Sequence, residues 1–354
     1  MKRAERQSEA ATFAHRFSTN LVPMTVPPII VDPTDVFDSD SAALLARLAD
    51  EDATVRRIAL LDIADLEEVD LLPSLVSALR DDPAAEVRLE AARVLASWER
   101  EDIVEALCAA LLDANGEVRA AAAQSLTELK DPASGTVLRR WTERPDPFVR
   151  AAALRALREL RFADAFDPAL RALADTTPGV RLEAVAVLGW LKDARALPAL
   201  AAIATGDSEP DVRRAAVGSL GFAPATHSVA TAALLGALRD PAWQVREEAA
   251  TTLGKLRAPT ARDPLIAALD DDCWQVRLRA VRALGQTGDI ASAPYVASLL
   301  THTISNLRKE AALALGELRD PRTLQALRDA LDDRDPDVRK AIRIALQQVE
   351  GAAV

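Results

Sequence analysis

The sequence predicts an all-α protein, an α-solenoid of about ten stacked two-helix repeats, and three observations support this fold class. A Val-Arg pair, once Leu-Arg, recurs ten times at intervals of 31 to 33 residues. Each pair opens a segment whose apolar residues follow the 3.6-residue period of a helix. Only 4% of the 354 residues are aromatic, which disfavours a β-sandwich or β-barrel. The pairs begin at Val55, Val87, Val118, Val149, Val180, Val212, Val245, Val276, Leu307 and Val338.

Each repeat contains a shorter first helix and a longer second helix. In the second helix VRLEAVAVLGWL, residues 180–191, Val is followed by Ala four positions later and by Leu eight positions later. First helices are apolar segments such as LPALAAIA, residues 197–204. Since Asp caps free amides and Pro has its φ already set, Asp-Pro pairs are expected to begin helices. Such pairs precede second helices at Asp82, Asp146, Asp240 and Asp335, and first helices at Asp131, Asp167, Asp263 and Asp320.

These units resemble the HEAT-like repeats of the phycobilisome-lyase type, in which an Asp turn precedes V-R-x-x-A-x-x-x-L-G. The resemblance implies a right-handed superhelical rod in which each hairpin contacts only its neighbours. The motif is fullest in the second half of the chain, where glycine stands nine residues after the Val or Leu of the pair. Because glycine lets helices approach closely, helix spacing is expected to differ between the halves. These glycines are Gly189, Gly221, Gly254, Gly285 and Gly316.

The repeats predict three segments. Residues 1–40 form an extended or partly disordered N-terminal arm, residues 41–350 a single HEAT-like repeat solenoid, and residues 351–354 a short C-terminal tail. The arm is a candidate for docking on a partner or on the solenoid end, and an unstructured tail is the alternative. The chain lacks an apolar run that could span a membrane, and its two cysteines do not form a disulfide framework. We therefore expect a cytoplasmic protein without a membrane partner.

The resemblance also suggests enzyme classes that the residues can be tested against. Deoxyhypusine hydroxylases hold two irons with His-Glu pairs, expected two and three residues after the Val, where this chain has pairs such as Leu89-Glu90 and Leu182-Glu183. The three histidines, His15, His227 and His302, lie in the arm or between helices. We predict no metal site, no catalytic residue and no cofactor.

Two further classes share related helices. DNA glycosylases of this architecture bind DNA on a basic concave face, and the net charge of −11 disfavours nucleic acid as a partner. Bilin lyases use the same repeat, so an accessory lyase or cofactor-loading factor remains the alternative function.

The arginine of each pair has two interpretations. It could form a ladder that binds anions, or it could pair with turn aspartates of neighbouring units, such as Asp240 or Asp272. We favour the ion pairs, which would stiffen the joint between hairpins.

A partner-binding stripe follows from the helical period. If the Val is position 0, positions 0, 4, 8 and 11 face the core, and positions 2, 6 and 10 form the opposite stripe, expected to line the concave groove. Trp190 and Phe222 are candidate anchors for an apolar side chain or helix with acidic neighbours. Alternatively, both cover loops at helix ends. The predicted function is a non-catalytic protein–protein interaction scaffold or adaptor, with a groove formed by Arg155, Leu182, Ala186, Trp190, Arg214, Gly218, Phe222, Leu278 and Arg282.

Overall fold

The computed structural model describes residues 39–351, and the chain divides into two compact units, Met1–Ala43 and Leu44–Val354. The predicted arm lies outside the described residues up to residue 38, as does the tail from residue 352. Over the described residues every regular element is a helix. The α-helices are α1 Ser39–Arg47, α2 Ala53–Asp65, α3 Leu72–Asp81, α4 Ala85–Val94, α5 Glu101–Ala110, α6 Gly116–Leu126, α7 Ser134–Trp141, α8 Pro147–Glu159, α9 Phe166–Ala172, α10 Pro178–Leu191, α11 Leu197–Gly206, α12 Pro210–Ser219, α13 Ser228–Ala237, α14 Trp243–Leu256, α15 Arg262–Ala267, α16 Trp274–Thr287, α17 Ala293–Ala297, α18 Ser305–Leu318, α19 Leu324–Asp329 and α20 Pro336–Gly351.

Short 3-10 helices precede or extend many of these helices. They span Val69–Leu71, Leu95–Ser97, Ala163–Ala165, Ala194–Ala196, Leu220–Phe222, Pro259–Ala261, Ala268–Asp270, Ile290–Ser292, Ser298–Thr301 and Pro321–Thr323.

The helices confirm the predicted α-solenoid. Odd-numbered helices are the first helices and even-numbered helices the second helices of ten pairs. From α2 to α20, each second helix packs against the second helix of the next pair. On α10 the predicted core positions Val180, Ala184 and Leu188 are buried, and the fourth, Leu191, is half-buried. One apolar core therefore runs along the stack, with each hairpin completing the face that its neighbour leaves open.

Of the Asp-Pro pairs before first helices, Asp167 and Asp263 lie one residue inside α9 and α15 and do not cap them, contrary to the prediction. The pairs before second helices divide into two groups. Asp146 accepts hydrogen bonds from the N–H groups of Phe148 and Val149 at 2.8 and 3.2 Å, and so caps α8 as predicted. Asp335 caps α20 in the same way. Asp82 and Asp240 do not cap helices, because α4 and α14 begin three residues after them. Their carboxylates are instead committed to arginines of the preceding repeats.

Arginines and aspartates of successive repeats form an Arg–Asp ladder along the loops between first and second helices. In the rung formed by Arg213, Nε and Nη2 donate to the two carboxylate oxygens of Asp240 at 2.7 and 2.8 Å. Nη1 donates to the carbonyls of Asp207 and Ser208 in the loop of its own repeat. Asp240 also accepts the N–H of Ala242 at 2.8 Å. Each rung thus ties two consecutive loops together through a planar, charge-assisted fork.

The ladder confirms the ion-pairing interpretation, with one correction. The partner of Arg246 is Asp271, whose carboxylate lies 2.7 Å from Nε, and not Asp272. Asp271 lies five residues before the Val of the next repeat, as does every aspartate of the ladder. The complete rungs are Arg56–Asp82, Arg88–Asp113, Arg150–Asp175, Arg181–Asp207, Arg213–Asp240, Arg246–Asp271 and Arg308–Asp333.

Two glycines of the second half, Gly254 and Gly285, lie where successive second helices are in close contact. A Cβ added to Gly285 would lie 2.9 Å from the Cα of Ala314 on the next second helix, and one added to Gly254 would lie 2.8 Å from the Cα of Ala283. These distances are shorter than van der Waals contact. The predicted close approach of helices is therefore present at these two joints.

We predict that Asp240→Ala lowers the free energy of unfolding by about 2–4 kcal/mol, because Arg213 would stay largely buried without its carboxylate. The side chain of Asp240 is only 7% exposed and that of Arg213 only 11%. Urea denaturation followed by circular dichroism measures the loss. Glu143→Ala is the matched control, since its pair with Arg171 is exposed and should contribute less than about 1 kcal/mol. Equal losses in both variants would contradict a structural role for the ladder.

The ladder also predicts sensitivity to acid. Burial opposes ionisation of Asp240, but the hydrogen bonds from Arg213 and Ala242 outweigh it and hold its pKa below the ordinary value of 3.8. The pKa of Asp271 and that of Asp333 are lowered too, chiefly by the hydrogen bonds from Arg246 and Arg308. The stability contributed by these groups is complete above about pH 4 and is lost as the pH falls through the lowered folded-state pKa values.

The urea midpoint should therefore fall steeply below pH 4, and less steeply in Asp240→Ala than in the wild type. A midpoint that stays constant between pH 5 and pH 3 would refute this account.

Gly285→Ala tests the close helix contact. The new methyl group would force α16 and α18 apart, and we expect a loss of about 1–3 kcal/mol despite the better helix propensity of alanine. Gly179→Ala is the control, because a Cβ there meets no atom within 4 Å. Thermal unfolding of both variants gives the comparison, and the contact is irrelevant if Gly285→Ala melts no lower than Gly179→Ala.

Candidate partner-binding face

The predicted stripe is the face of the second helices formed by side chains at positions 2, 6 and 10. On α10 these are Leu182, Ala186 and Trp190, of which Leu182 is 36% and Trp190 40% exposed. Leu61 on α2 and Ile344 on α20 are also exposed, at position 6. On the second helices from α4 to α18 other than α10, large apolar side chains at positions 2, 6 and 10, such as Leu89, are at least half-buried. We call the accessible part of α10 the α10 patch, defined by Leu182, Ala186 and Trp190.

The predicted residues do not all come together. Arg155 lies on α8, and Arg214 and Gly218 lie on α12, the second helices that pack on either side of α10. Leu278 and Arg282 lie on α16, which α14 separates from α12. The first group can act with the α10 patch, whereas the α16 residues belong to another part of the stack.

The two candidate anchors differ in their surroundings. Phe222 ends a short 3-10 helix after α12 and packs, half-buried, against the core. Trp190 stays accessible in the last turn of α10, and the guanidinium of Arg161 lies 5.9 Å from the centre of its ring. That distance is at the outer limit of a cation–π contact. Trp190 is therefore the more accessible of the two aromatic side chains.

Arg155 is already engaged within the protein. Its Nε and Nη2 donate to Oε1 of Glu183 at 2.8 and 2.7 Å, and Nη1 of Arg158 donates to Oε2 at 3.0 Å. Glu183 is largely buried, with 10% of its side chain exposed. Nε and Nη2 of Arg158 also donate to Oε1 of Glu159, so this cluster of two arginines and two glutamates beside the α10 patch has no net charge.

The same pair recurs farther along the stack. Arg282 donates to Glu310 at 2.6 Å, again from position 6 of one second helix to position 3 of the next. Sequence reasoning missed Glu183 and Glu310, although the 28-residue spacing of each pair is visible in the sequence. Arg282 is thus held by an ion pair on its own chain.

Arg214 and Gly218 complete the predicted set on α12. Arg214 is half-exposed and lies 3.8 Å from the exposed Asp211, which makes it the least engaged cation of the set. Space above Gly218 is partly filled, because a Cβ there would lie 3.2 Å from Oε1 of Glu248. A side chain of the next second helix thus takes up part of the space over Gly218.

The corresponding face near the C-terminus is polar. A depression of about 460 Å³ there is lined by Gln286, Glu317, Gln348, Arg257 and Arg319, among others. Burial raises the pKa of Glu317, and nearby Glu310 raises it further. This depression contrasts with the apolar α10 patch.

Cysteine and histidine side chains often act in catalysis, but Cys108 and His227 have structural roles. Cys108 lies in the core, where burial raises the pKa of its thiol, and His227 accepts the N–H of Ala230 at the start of α13. Within residues 39–351 no group of three or more His, Cys, Asp or Glu is placed to hold a metal ion. The same part of the chain contains no helix that is both long and apolar enough to cross a membrane.

Comparison with known proteins agrees with the paired helices. A family model described as HEAT repeats matches residues 72–158, 142–221, 205–276 and 262–347. The chain belongs to the HEAT repeat family. The phycobilisome-lyase type of HEAT repeat remains a prediction. No match is found among curated proteins.

Solved structures share the HEAT solenoid fold. An engineered protein is 20% identical, with a TM-score of 0.50 over 88% of this chain and 99% of its own. Kap121p is 17% identical, with a TM-score of 0.60 over 91% of this chain, which spans only 42% of Kap121p. The karyopherin Kap121p bound to the SUMO protease Ulp1p gives 17% identity and a TM-score of 0.59 over 88% of this chain and 41% of the other. At these identities the likeness concerns the fold alone.

Proposed function

We propose that this HEAT solenoid is a non-catalytic scaffold that binds a partner protein along its second helices, centred on the α10 patch. The observation that carries the proposal is the exposure of Leu182 and Trp190 on one face of α10. Position 2 and position 10 of a helix are separated by about 12 Å along its axis, a spacing that suits two apolar side chains of one partner helix. Kap121p, which shares the fold, has been solved bound to Nup53p and to Ulp1p.

Charge around the patch indicates the chemistry of the partner. The guanidinium of Arg161 lies near the ring of Trp190, and Arg214 has only a distant, exposed carboxylate nearby. A partner helix with two apolar residues and flanking Asp or Glu would match both features, because it would bury the patch and neutralise the remaining positive charge. Docking of the N-terminal arm on a partner, and a cytoplasmic location, remain predictions.

Replacement of Leu182 and Trp190 by Ala tests the proposal. Both side chains are accessible, so the variant should keep its fold while losing contacts that anchor the partner. We expect partner binding to weaken at least tenfold, since a buried aromatic anchor typically contributes 2 kcal/mol or more. The partner is first isolated by affinity purification from the native host with mass spectrometry, and its affinity for each purified variant is then measured by calorimetry.

Tyr295→Ala is the matched control, because Tyr295 is 52% exposed on the first helix α17, away from the stripe. It should leave affinity unchanged. If the Leu182→Ala, Trp190→Ala double variant binds as tightly as the control while melting at the wild-type temperature, the α10 patch is not the binding site.

A further inference from the structure

The Arg–Asp ladder is interrupted at two places within the described residues. The position five residues before the Val or Leu holds Arg144 opposite Arg119, and His302 opposite Arg277. Every complete rung leaves its arginine with two carboxylate oxygens and two loop carbonyls as acceptors. At the interrupted rungs the sequence has no aspartate. The remaining contacts of the arginine therefore determine whether the position can bind a ligand.

The first interruption is filled by other contacts. Nη1 of Arg119 still donates to the carbonyls of Asp113 and Ala114 at 2.8 and 3.2 Å. Its guanidinium lies 6.0 Å from the ring centre of Phe148, and that of Arg144 lies 4.4 Å from the ring centre of Trp141. Both arginines are thus held by carbonyls or aromatic rings.

The second interruption has no such substitute. Nε of Arg277 is buried and has no hydrogen-bond partner, and Arg277 forms no hydrogen bond or ion pair with the described residues. This is unlike the seven arginines of the complete rungs. A buried N–H of a cation without an acceptor is costly, so this position is incomplete as it stands.

His302 explains why the rung is open. Its Nδ1 accepts the N–H of Ile304 at 3.0 Å, which reproduces the contact that the rung aspartates make two residues ahead. The proton of the neutral ring then lies on Nε2, which can only donate. Neither ring nitrogen can accept from Arg277.

The charges around the open rung favour an anion. Burial lowers the pKa of His302, and Arg277 and Arg308 lower it further, so the ring is neutral at pH 7. The nearest ladder carboxylates are already engaged, Asp271 with Arg246 and Asp333 with Arg308. Arg277 therefore contributes a positive charge that its rung does not balance, whereas complete rungs are neutral.

We propose that the open rung between Arg277 and His302 binds a small oxyanion, a carboxylate or phosphate group, in the place of the missing aspartate carboxylate. Two oxygens would accept from the edge of the Arg277 guanidinium, and Nε2–H of His302 would donate to the same group. Arg277 and His302 are both partly exposed, so the ion can enter from solvent. The site lies on the loops, apart from the α10 patch, and is independent of the proposed partner site.

Nuclear magnetic resonance of the wild-type protein gives the first test. The chain has three histidines, and His227, whose Nδ1 has an equivalent contact at a helix start, serves as an internal reference. Sodium phosphate, added at constant ionic strength against sodium chloride, should raise the pKa of His302 by about one unit or more and leave the ring resonances of His227 unaffected. Sodium acetate tests whether a carboxylate is sufficient. A His302 pKa that neither salt changes would overturn the proposal.

Substitution of the rung residues gives a second test. His302→Asp restores the ladder carboxylate, so the melting temperature should rise by about 2–4 °C and phosphate should stabilise the variant no further. Asp240→His creates the same opening at a complete rung, and phosphate should recover part of the melting temperature that it loses.

Arg277→Gln, with folding checked by circular dichroism, should abolish the response of His302 to phosphate. Stabilisation by phosphate that is equal in the wild type, His302→Asp and Arg277→Gln would show an adventitious ion only and refute the site.

Discussion

The forked contact between an arginine of one repeat and an aspartate of the next fixes how neighbouring hairpins sit on one another. Apolar helix faces alone define a core but tolerate sliding, because burial is not directional. A guanidinium that is bound on one edge by its own loop and on the other by the next carboxylate has one geometry. Its net contribution to stability is limited by desolvation, so its main effect is on register. Two complete rungs, Arg150–Asp175 and Arg181–Asp207, join the hairpins on either side of the α10 patch, so the patch inherits its alignment from this contact.

The period of the sequence was sufficient to predict the fold, the ten units and the role of the arginines. The Val-Arg pair and the helical pattern recur in every unit, and this recurrence excludes a chance pattern. Predictions failed where one residue type serves two purposes. Asp-Pro precedes a helix at Asp146 but belongs to a ladder rung at Asp240. The sequence letters are the same, and the difference depends on whether an arginine from the previous repeat reaches the carboxylate. Asp271 and Asp272 were ambiguous for a similar reason, since adjacent aspartates differ only in the direction of their side chains.

Prediction of the stripe was limited by contacts between helices. Helical periodicity assigns Arg155 and Arg282 to an accessible face, and both are indeed exposed, but it does not reveal that Glu183 and Glu310 of the next helices reach them. Likewise, Gly218 is small, yet Glu248 lies over it. The composition of a face is a property of single helices, whereas its free space depends on the neighbouring helix. Trp190 and Leu182 remain accessible, whereas large polar side chains on the neighbouring helices bind one another.

In a repeat protein, equivalent residues of different repeats can be compared directly. A residue that departs from the repeat can therefore be interpreted from the contacts of its equivalents. An unpaired arginine in an ordinary domain has many explanations. Here seven equivalent arginines show what Arg277 would bind if its rung were complete, and Ile304 shows that His302 keeps only half of the aspartate's contacts. The missing half has a defined chemistry, two acceptor oxygens with one negative charge. The same comparison separates Arg119, whose contacts are replaced by carbonyls and a ring, from Arg277, whose contacts are not. Deviation from the repeat therefore identifies a ligand class only where the remaining donors are left without acceptors.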